Sequence, residues 1–557
     1  MRAARSLLAV AAAVVLWPAQ AAPAAPAHGP AGSALTGRLL VISDPSRRAA
    51  ARVSAAGARR AGRDVPEIGL VSVRPKRGVG PAIAARRLRR LAGVRHVEAE
   101  RRYTLRTVPD DPALRLQEPA PGAPPGTVVQ WWAARHGLPA AWDLNDGSDA
   151  TVAVIDTGVD ATHPEFAGKI TAAVDLDQTS ANGPATTDES GHGTHVASIA
   201  CGRANNATGL AGAGLGCSLL VIKSDLSAAS VADSIVEATD RGADAINMSF
   251  GADGFEVPSR AVVEAVNYAY ARGVVLVAAA ADQPVEEQGD PANILQPTGT
   301  GPRQTAGKGL TVTAADFDDA RASFAGRGSQ ISLAGYGAFG RRNGPPGLLG
   351  AFPAGETELE RGGGGGARGC GCRTTFAGDG RYAYIQGTSM SAPIVAAAAA
   401  LIRRLNPDLG VAEILQTMKA SARRPGGAGA PWGPELGWGI LDAGAALAQA
   451  ATLDRSAPRS RASGPRRVRR RTVTLRWTGT DPAPPRVRAS GVERFELLRS
   501  VNGGPMRRLA TTKARRRTVR VLPGRRYAFS TAAIDRDGNR EPRPARADVR
   551  VTVLRGR

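Results

Sequence analysis

The chain has 557 residues, is 43% hydrophobic and carries a formal charge of +23, so it can form two to four domains with a sizeable core. The charge is uneven: residues 22–107 hold 18 Lys/Arg against 5 Asp/Glu, residues 108–455 hold 24 against 37, and residues 456–557 hold 28 against 7. An acidic middle between two basic segments excludes reading the whole chain as a nucleic-acid binder.

At the amino terminus Arg2 and Arg5 precede an apolar run, residues 7–17, followed by Ala19-Gln20-Ala21. The run is too short to span a bilayer comfortably and the small-x-small triplet suits cleavage, so residues 1–21 are expected to be a secretory signal peptide, with a short membrane anchor as the alternative. No later run is long and apolar enough to span a membrane, because Arg403 and Arg404 interrupt the Ala-rich stretch after Ser389. The mature protein is expected to be secreted, extracellular and without a transmembrane segment. Residues 22–35 are Ala/Pro/Gly-rich and expected to be disordered. The ordered pattern then begins: a strand at 39–42, a helical stretch at 47–60, a strand at 68–73, a helical stretch at 82–91 and a strand near 94–97, together a small α+β unit. Residues 107–127, rich in Pro, Asp and Gly, read as a linker.

Residues 151–155, Thr-Val-Ala-Val-Ile, are continuous and β-branched, as expected of a strand buried on both faces of a parallel sheet. Similar runs occur at 219–222, 245–248, 274–279 and 310–312, with helical patterns at 231–241 and 260–272. Strands alternating with helices predict an α/β domain whose parallel sheet is covered on both faces. After Leu453 the composition changes. Residues 456–471 read as an Arg/Pro/Ser linker. Alternating runs at 472–477, 495–498, 518–521, 527–534 and 549–553, with turn signals Asn502-Gly503-Gly504 and Asp537-Gly538-Asn539, predict an all-β sandwich over 472–557.

Four cysteines in an exported chain suggest up to two disulfides. Proximity in the sequence favours Cys201–Cys217 and Cys370–Cys372. A metal site is the rival reading, although no histidine lies near either pair.

The stretch Gly387-Thr388-Ser389-Met390-Ser391-Ala392-Pro393 is a tight turn running into an apolar helical pattern. Ser389 then falls on a first turn, where unpaired N–H groups and the helix dipole favour negative charge. Serine is a poor nucleophile without a base, and the base needs an orienting group. Asp156 closes a buried strand at its carboxyl end, where open α/β sheets place their sites. His192 stands in Gly191-His192-Gly193-Thr194-His195-Val196-Ala197-Ser198, at the start of a helical run. Along the chain the order is Asp, His, Ser.

These three stretches closely resemble the signature blocks of subtilisin-like serine proteases, and the resemblance spans about residues 128–452. It implies the subtilisin-like parallel sheet with helices on both faces, and a serine endopeptidase acting on protein or peptide substrates. Ser389 would attack the peptide carbonyl, His192 would carry the proton, and Asp156 would orient the imidazole. His195 and His163 are expected to be structural. Asn247-Met248-Ser249-Phe250-Gly251 resembles the family's substrate-binding strand, which implies that Ser249, Phe250 and Gly251 line the substrate as an added β-strand. Residues 36–107, above all Leu91-Ala92-Gly93-Val94-Arg95-His96-Val97-Glu98, look like the family's propeptide, an intramolecular inhibitor and folding aid, with maturation near 103–117. No cofactor is implied for the chemistry. The family often binds structural calcium through oxygen ligands, but no compact acidic loop identifies them here. Residues 472–557 resemble a fibronectin type III-like sandwich through Leu475-Arg476-Trp477, Phe495-Glu496-Leu497-Leu498-Arg499 and Tyr527-Ala528-Phe529. The charge of this basic domain suggests binding to an anionic surface; a basic spacer and docking onto the acidic catalytic domain are the alternatives.

One position departs from the family pattern. Where an oxyanion-donating asparagine is usual, beside the backbone of Ser389, the run Ala278-Ala279-Ala280-Ala281-Asp282-Gln283-Pro284 places Asp282. An ionised carboxylate cannot donate, and losing one such donor costs about 3–4 kcal/mol. Asp282 can serve if it is protonated; Gln283 or Asn293 can replace it; or the protein is a weakly active or inactive subtilase-fold binding protein. The first reading predicts that Asp282→Asn keeps or raises the rate and moves the pH optimum upward.

Overall fold

The architecture was read from a computed structural model that describes residues 35–44, 53–54, 56–62, 64–101, 109–177, 183–254, 256–362, 369–426 and 431–555. The signal-peptide expectation for 1–21 lies outside the described residues. The chain divides into two units, residues 1–105 and 106–557.

In the first unit, four antiparallel strands lie in the order Ala58–Arg60, Leu70–Pro75, Leu35–Ser43, Val94–Arg101. The helix Pro81–Leu88 buries Ala84, Ala85 and Leu88 against Leu39, Val41, Val71, Val73 and Val97. The helical stretch expected at 47–60 is corrected in its described part. Gly57 adopts a left-handed φ of 78°, and Ala58–Arg60 is a strand with Ala58 inward and both arginines outward. Residues 47–52 of that stretch lie outside the described residues.

In the second unit, seven parallel strands form one sheet in the order Leu333–Tyr336, Gly309–Ala315, Val275–Ala279, Ala245–Met248, Thr151–Asp156, Ser218–Lys223, Ile170–Asp175. Side chains alternate faces along a strand, and the core divides accordingly. Val152 and Val154 join one cluster, while Ala153 and Ile155 join the other. Both neighbours of every central residue are therefore buried, which is why these strands read as unbroken apolar runs. Helices Ala228–Asp240 and Arg260–Ala271 bury their apolar stripes in one cluster. Helices His192–Cys201 and Thr388–Leu405 pack in the other. The latter helix is buried almost all round, and its run of alanines lets it lie close to the strands. The edge strands Ile170–Asp175 and Leu333–Tyr336 escape the sequence pattern because one is only half-buried on alternate residues and the other, Leu-Ala-Gly-Tyr, contains a glycine and no β-branched residue.

A second, antiparallel sheet of three strands, Leu348–Ala351, Asp379–Ile385 and Arg373–Phe376, is inserted before the Ser389 helix. Cys370 and Cys372 are bonded beside it, with Cα atoms 5.0 Å apart, and Cys201 is bonded to Cys217 with Cα atoms 5.5 Å apart.

The linker expected at 107–127 is corrected over its described part. Asp111 is fully buried, Ala113 N–H donates to the Gly209 carbonyl at 3.0 Å, and Tyr384 donates to Glu118 Oε2 at 2.8 Å. Its Pro and Gly residues make turns against the α/β body rather than a tether.

The carboxyl-terminal region is a sandwich of two sheets around one core that includes Leu475, Trp477, Phe495, Leu497, Tyr527 and Phe529. The linker expected at 456–471 instead supplies strands Arg459–Ser463 and Arg467–Val468. Ala462 alone on the first of these is buried, opposite Trp477; one inward alanine among arginines leaves no visible alternation. The sandwich abuts the α/β body. Arg488 N–H donates to the Ala451 carbonyl at 2.8 Å, Asn539 Nδ2 to the Asp454 carbonyl at 2.9 Å, and Arg455 pairs with Glu413 at 2.6 Å.

Candidate active site

The strand order reverses beside Thr151–Asp156, so the loops at its carboxyl end diverge and leave room for a site. Asp156 ends that strand and is buried. Its Oδ1 accepts from the Thr157 N–H at 2.8 Å and lies 2.7 Å from His192 Nδ1. This pair fixes the ring and directs Nε2 away from Asp156.

His192 opens its helix between two glycines with different reasons to be there. Gly191 has φ 88°, and a Cβ on it would lie 2.5 Å from the Phe352 ring. Gly193 has no room for a Cβ because the Gly158 carbonyl oxygen occupies the space. Asp188 ties the strand end to the helix start. Its Oδ1 accepts from Thr157 Oγ1 at 2.8 Å and from Gly191 N–H at 2.9 Å, and its Oδ2 accepts from Thr194 N–H at 2.8 Å and Oγ1 at 2.6 Å. Sequence reasoning missed Asp188; an acid one turn before a glycine-flanked histidine was its only signal. Burial of the imidazole opposes protonation, but the charge and hydrogen bond of Asp156, helped by Asp188 and Asp282, raise the His192 pKa above its usual 6.5.

Ser389 is the second residue of the helix Thr388–Leu405, so its N–H has no acceptor within the helix. Four residues on, Pro393 lacks the N–H that would bond the Ser389 carbonyl. Ser249 Oγ donates to that carbonyl instead, at 2.8 Å, and is itself held by Asn247 Nδ2 at 2.9 Å. The Ser389 hydroxyl in turn donates to the Ser249 carbonyl at 2.9 Å. The nucleophile block and the expected substrate strand are thus joined through Ser249. Phe250 packs on the core beneath, and Gly251 is exposed next to the Asp290 carbonyl.

Asp282 lies beside the residue before Ser389. Its Oδ1 accepts from Thr388 N–H at 2.8 Å, and Thr388 Oγ1 stands 2.9 Å from the same oxygen. Although the residue as a whole reaches solvent, loss of hydration around the carboxyl group is the largest cause of a raised pKa. The Thr388 hydrogen bonds oppose that rise, and nearby Asp253 adds to it. Oδ2 faces Gly387, where a Cβ would lie 3.1 Å away. The alternatives fare differently: Asn293 Nδ2 donates to the Glu256 carbonyl at 3.2 Å, and Gln283 is exposed.

His195 and His163, the two histidines expected to be structural, bond backbone. His195 Nε2 lies 3.1 Å from the Leu348 carbonyl and 3.2 Å from that of Ala383, linking the helix to the inserted sheet. Burial pushes its pKa down to about 4. His163 Nε2 lies 2.8 Å from the Arg381 carbonyl. The insert also supports the turn before His192, since Glu358 N–H donates to the Glu189 carbonyl at 2.9 Å.

Oxygen ligands for a hard cation occur away from the cleft. Asp111 Oδ1 and Glu165 Oε2 are both buried without a protein hydrogen-bond partner of good geometry. The two carboxylates hold one loop: Asp111 accepts from Asn205 N–H at 3.0 Å and Glu165 from Leu210 N–H at 3.0 Å. Burial pushes the Glu165 carboxyl up to about 8. This donor set fits calcium. Its two carboxylates come from separate parts of the chain, so no compact acidic loop betrays it. A second acidic group, Asp454, Asp481 and Asp535, gathers ligand atoms within 4.8 Å of one another where the sandwich meets the catalytic body. Among the described residues no helix is long and apolar enough to cross a membrane.

The chain is similar to thermitase of Thermoactinomyces vulgaris, 30% identical over 322 residues, which cover 56% of this chain and 95% of thermitase. It is also similar to a thermophilic serine proteinase of Bacillus sp. strain AK1, 32% identical over 295 residues, covering 52% of this chain and 60% of that one. A solved protease from Pseudoalteromonas arctica is 27% identical, covers 58% of this chain and 97% of its own, and superposes with a TM-score of 0.46. The model of the Subtilase family matches residues 147–444. The chain belongs to the subtilase family of serine endopeptidases.

Proposed function

We propose that the protein is a secreted serine endopeptidase, made as an autoinhibited precursor, that uses Asp156, His192 and Ser389 as its triad. The observation that carries this reading is the 2.7 Å bond between His192 Nδ1 and Asp156, at the sheet end where Asp282 is bonded next to Ser389. In the reaction Ser389 Oγ attacks the peptide carbonyl as His192 Nε2 takes its proton. His192 then protonates the leaving amine, and a water activated in the same way releases the acyl group. Before substrate binds, the serine hydroxyl bonds the Ser249 carbonyl; such contacts commonly re-form in the Michaelis complex.

The oxyanion is bound by Ser389 N–H and by a protonated Asp282. Oδ1 already accepts from Thr388, so the proton belongs on Oδ2. Negative charge developing on the substrate raises this pKa further and favours the donating form. Exposed Gly251 supports backbone pairing of the substrate along Ser249, Phe250 and Gly251. The basic amino-terminal unit, opposite in charge to the middle of the chain, supports its role as propeptide. Asp111 and Glu165 would hold a structural calcium, which would neutralise two buried carboxylates and pin the loop between Asn205 and Leu210.

A fluorophosphonate probe tests the reading. Labelling of the secreted protein that is lost in Ser389→Ala is the expected result. A wild-type protein left unlabelled at every pH would return the weakly active or inactive binding protein as the better account.

A further inference from the structure

The smaller sheet of the carboxyl-terminal sandwich consists of Arg459–Ser463, Thr472–Thr480 and Arg516–Arg520. Its inward residues, among them Ala462, Val473, Leu475 and Trp477, join the sandwich core. The alternate residues face outward and are in register across the strands. Arg459 and Arg461 lie on one edge strand, Arg476 is central, and Arg516 and Arg520 lie on the other edge strand; all five are exposed. Hydroxyls stand between them: Ser463 is opposite Arg476, Thr472 is opposite Arg520, and the Thr474 and Thr518 hydroxyls meet at 2.9 Å.

The three strands contain no Asp or Glu, and among the described residues none of the five arginines is in an ion pair. Arg476 and Arg516 are direct cross-strand partners, and like charges directly opposite one another, with Cβ atoms roughly 5 Å apart, cost a sheet stability. The other sheet treats its cations differently. Glu493 pairs with Arg494 and Lys513, and Glu496 pairs with Arg508 and Arg540. Acids thus offset part of the positive charge on the larger sheet, where Arg467, Arg499, Arg507, Arg526 and Arg550 are still outside any ion pair among the described residues, and no acid offsets it on the smaller one.

We propose that this outer face binds an acidic polysaccharide. Guanidinium groups at strand spacing suit a linear series of carboxylates or sulfates, and the intervening hydroxyls suit sugar hydroxyls. The face has no aromatic side chain on which bases could stack, as binding of a single-stranded nucleic acid requires. It has no large apolar side chain to enter a bilayer. The proposal is independent of the catalytic reading and holds even for an inactive protein.

The test uses the full chain carrying Ser389→Ala, so that no proteolysis intervenes. The basic amino-terminal unit is then common to every variant, and only differences between variants are read. Affinity for heparin is measured against salt for three proteins: the parent, a face variant (Arg461→Gln, Arg476→Gln, Arg516→Gln), and a control of equal charge (Arg526→Gln, Arg543→Gln, Arg550→Gln). The face variant is expected to lose about two to three from the slope of log affinity against log salt, while the control stays near the parent. Equal losses in both variants would reduce the effect to net charge and overturn the site. So would a parent that heparin does not retain at low salt, or a face variant retained like the parent. Tighter binding of single-stranded DNA through the same three arginines would replace the glycan with nucleic acid. Unchanged thermal unfolding of the face variant separates lost binding from lost folding.

Discussion

The catalytic body and the carboxyl-terminal sandwich use charge in opposite ways. In the body the decisive ionisable groups are few, buried or half-buried, and individually held: Asp156 by Thr157 and His192, Asp188 by four donors, Asp282 by Thr388. In the sandwich many arginines stand in solvent on a sheet that offers them no acid. Burial strengthens each electrostatic interaction and makes its loss expensive, whereas solvent and salt weaken exposed charges one at a time. Single substitutions should therefore be severe in the body and nearly silent in the sandwich, where only groups of substitutions act.

The sharpest form of this contrast lies within one helix. His192→Ala is expected to lower the catalytic rate by about a millionfold, as removal of a triad member does, with little change in melting temperature. His195→Leu, three residues away, leaves the Leu348 and Ala383 carbonyls without their shared partner. It should cost about 1–3 kcal/mol of stability while the rate stays within the same order of magnitude. Turnover and thermal unfolding measured on both variants decide it; a large loss of rate in His195→Leu with a normal melting temperature would reverse the assignment.

Asp282 comes next. Asp282→Ala removes the donor and should lower kcat about a hundred- to thousandfold, whereas Asp282→Asn should keep or raise it. The pH profile separates the two groups. His192 must be neutral to act as base, and the charge and hydrogen bond of Asp156 are the main causes that raise its pKa above 6.5. A protonated Asp282 carries no charge, so Asp282→Asn should leave the acid limb in place. The donating proton of Asp282 is lost as pH rises, whereas an amide keeps donating, so the alkaline limb should move up. A profile of kcat/KM against pH checks both limbs. A large loss of rate in Asp282→Asn would show that the carboxylate serves another purpose.

The Asp111–Glu165 group extends the comparison to stability. The Glu165 carboxyl, held near 8 against an ordinary 4.5, binds its proton more tightly in the folded state. Without metal, stability should therefore fall as pH rises from about 4.5 towards 8, by an amount on the order of a few kcal/mol. A chelator should lower the melting temperature much more at pH 8 than at pH 5, and calcium should restore it. A chelator effect independent of pH would separate the metal from Glu165.

The smallest effects belong to the sandwich. Any one of Arg459, Arg461 or Arg520 changed to Gln should alter stability by less than about 0.5 kcal/mol, as denaturant unfolding would measure. A single change there as costly as one in the triad's surroundings would mean that these arginines hold the fold together rather than face a ligand.

Much of the body was legible because its chemistry is local in the chain. A strand buried on both faces must be written as an unbroken apolar run, so residues 151–155 could be recognised without neighbours. Glycines at 191 and 193 mark close backbone approach, and a serine in a tight turn before an apolar helix marks a first turn. The sandwich strand at 459–463 was hidden because its inward face needs only one alanine. The turns at 109–127 resembled a tether because Pro and Gly serve turns and tethers alike.

Sequence alone determined the buried parallel strands, their helices, and three residues of the right kinds and order, because side-chain alternation and backbone sterics act over a few neighbours. Only the tertiary structure decided which groups meet. Pro393 withholds a donor that Ser249, 140 positions earlier in the chain, supplies; Asp282 reaches Thr388; Asp111 and Glu165 hold one loop; and five arginines from three separated strands share one face. Those relations rest on strand order and packing between distant segments, and no local pattern encodes them.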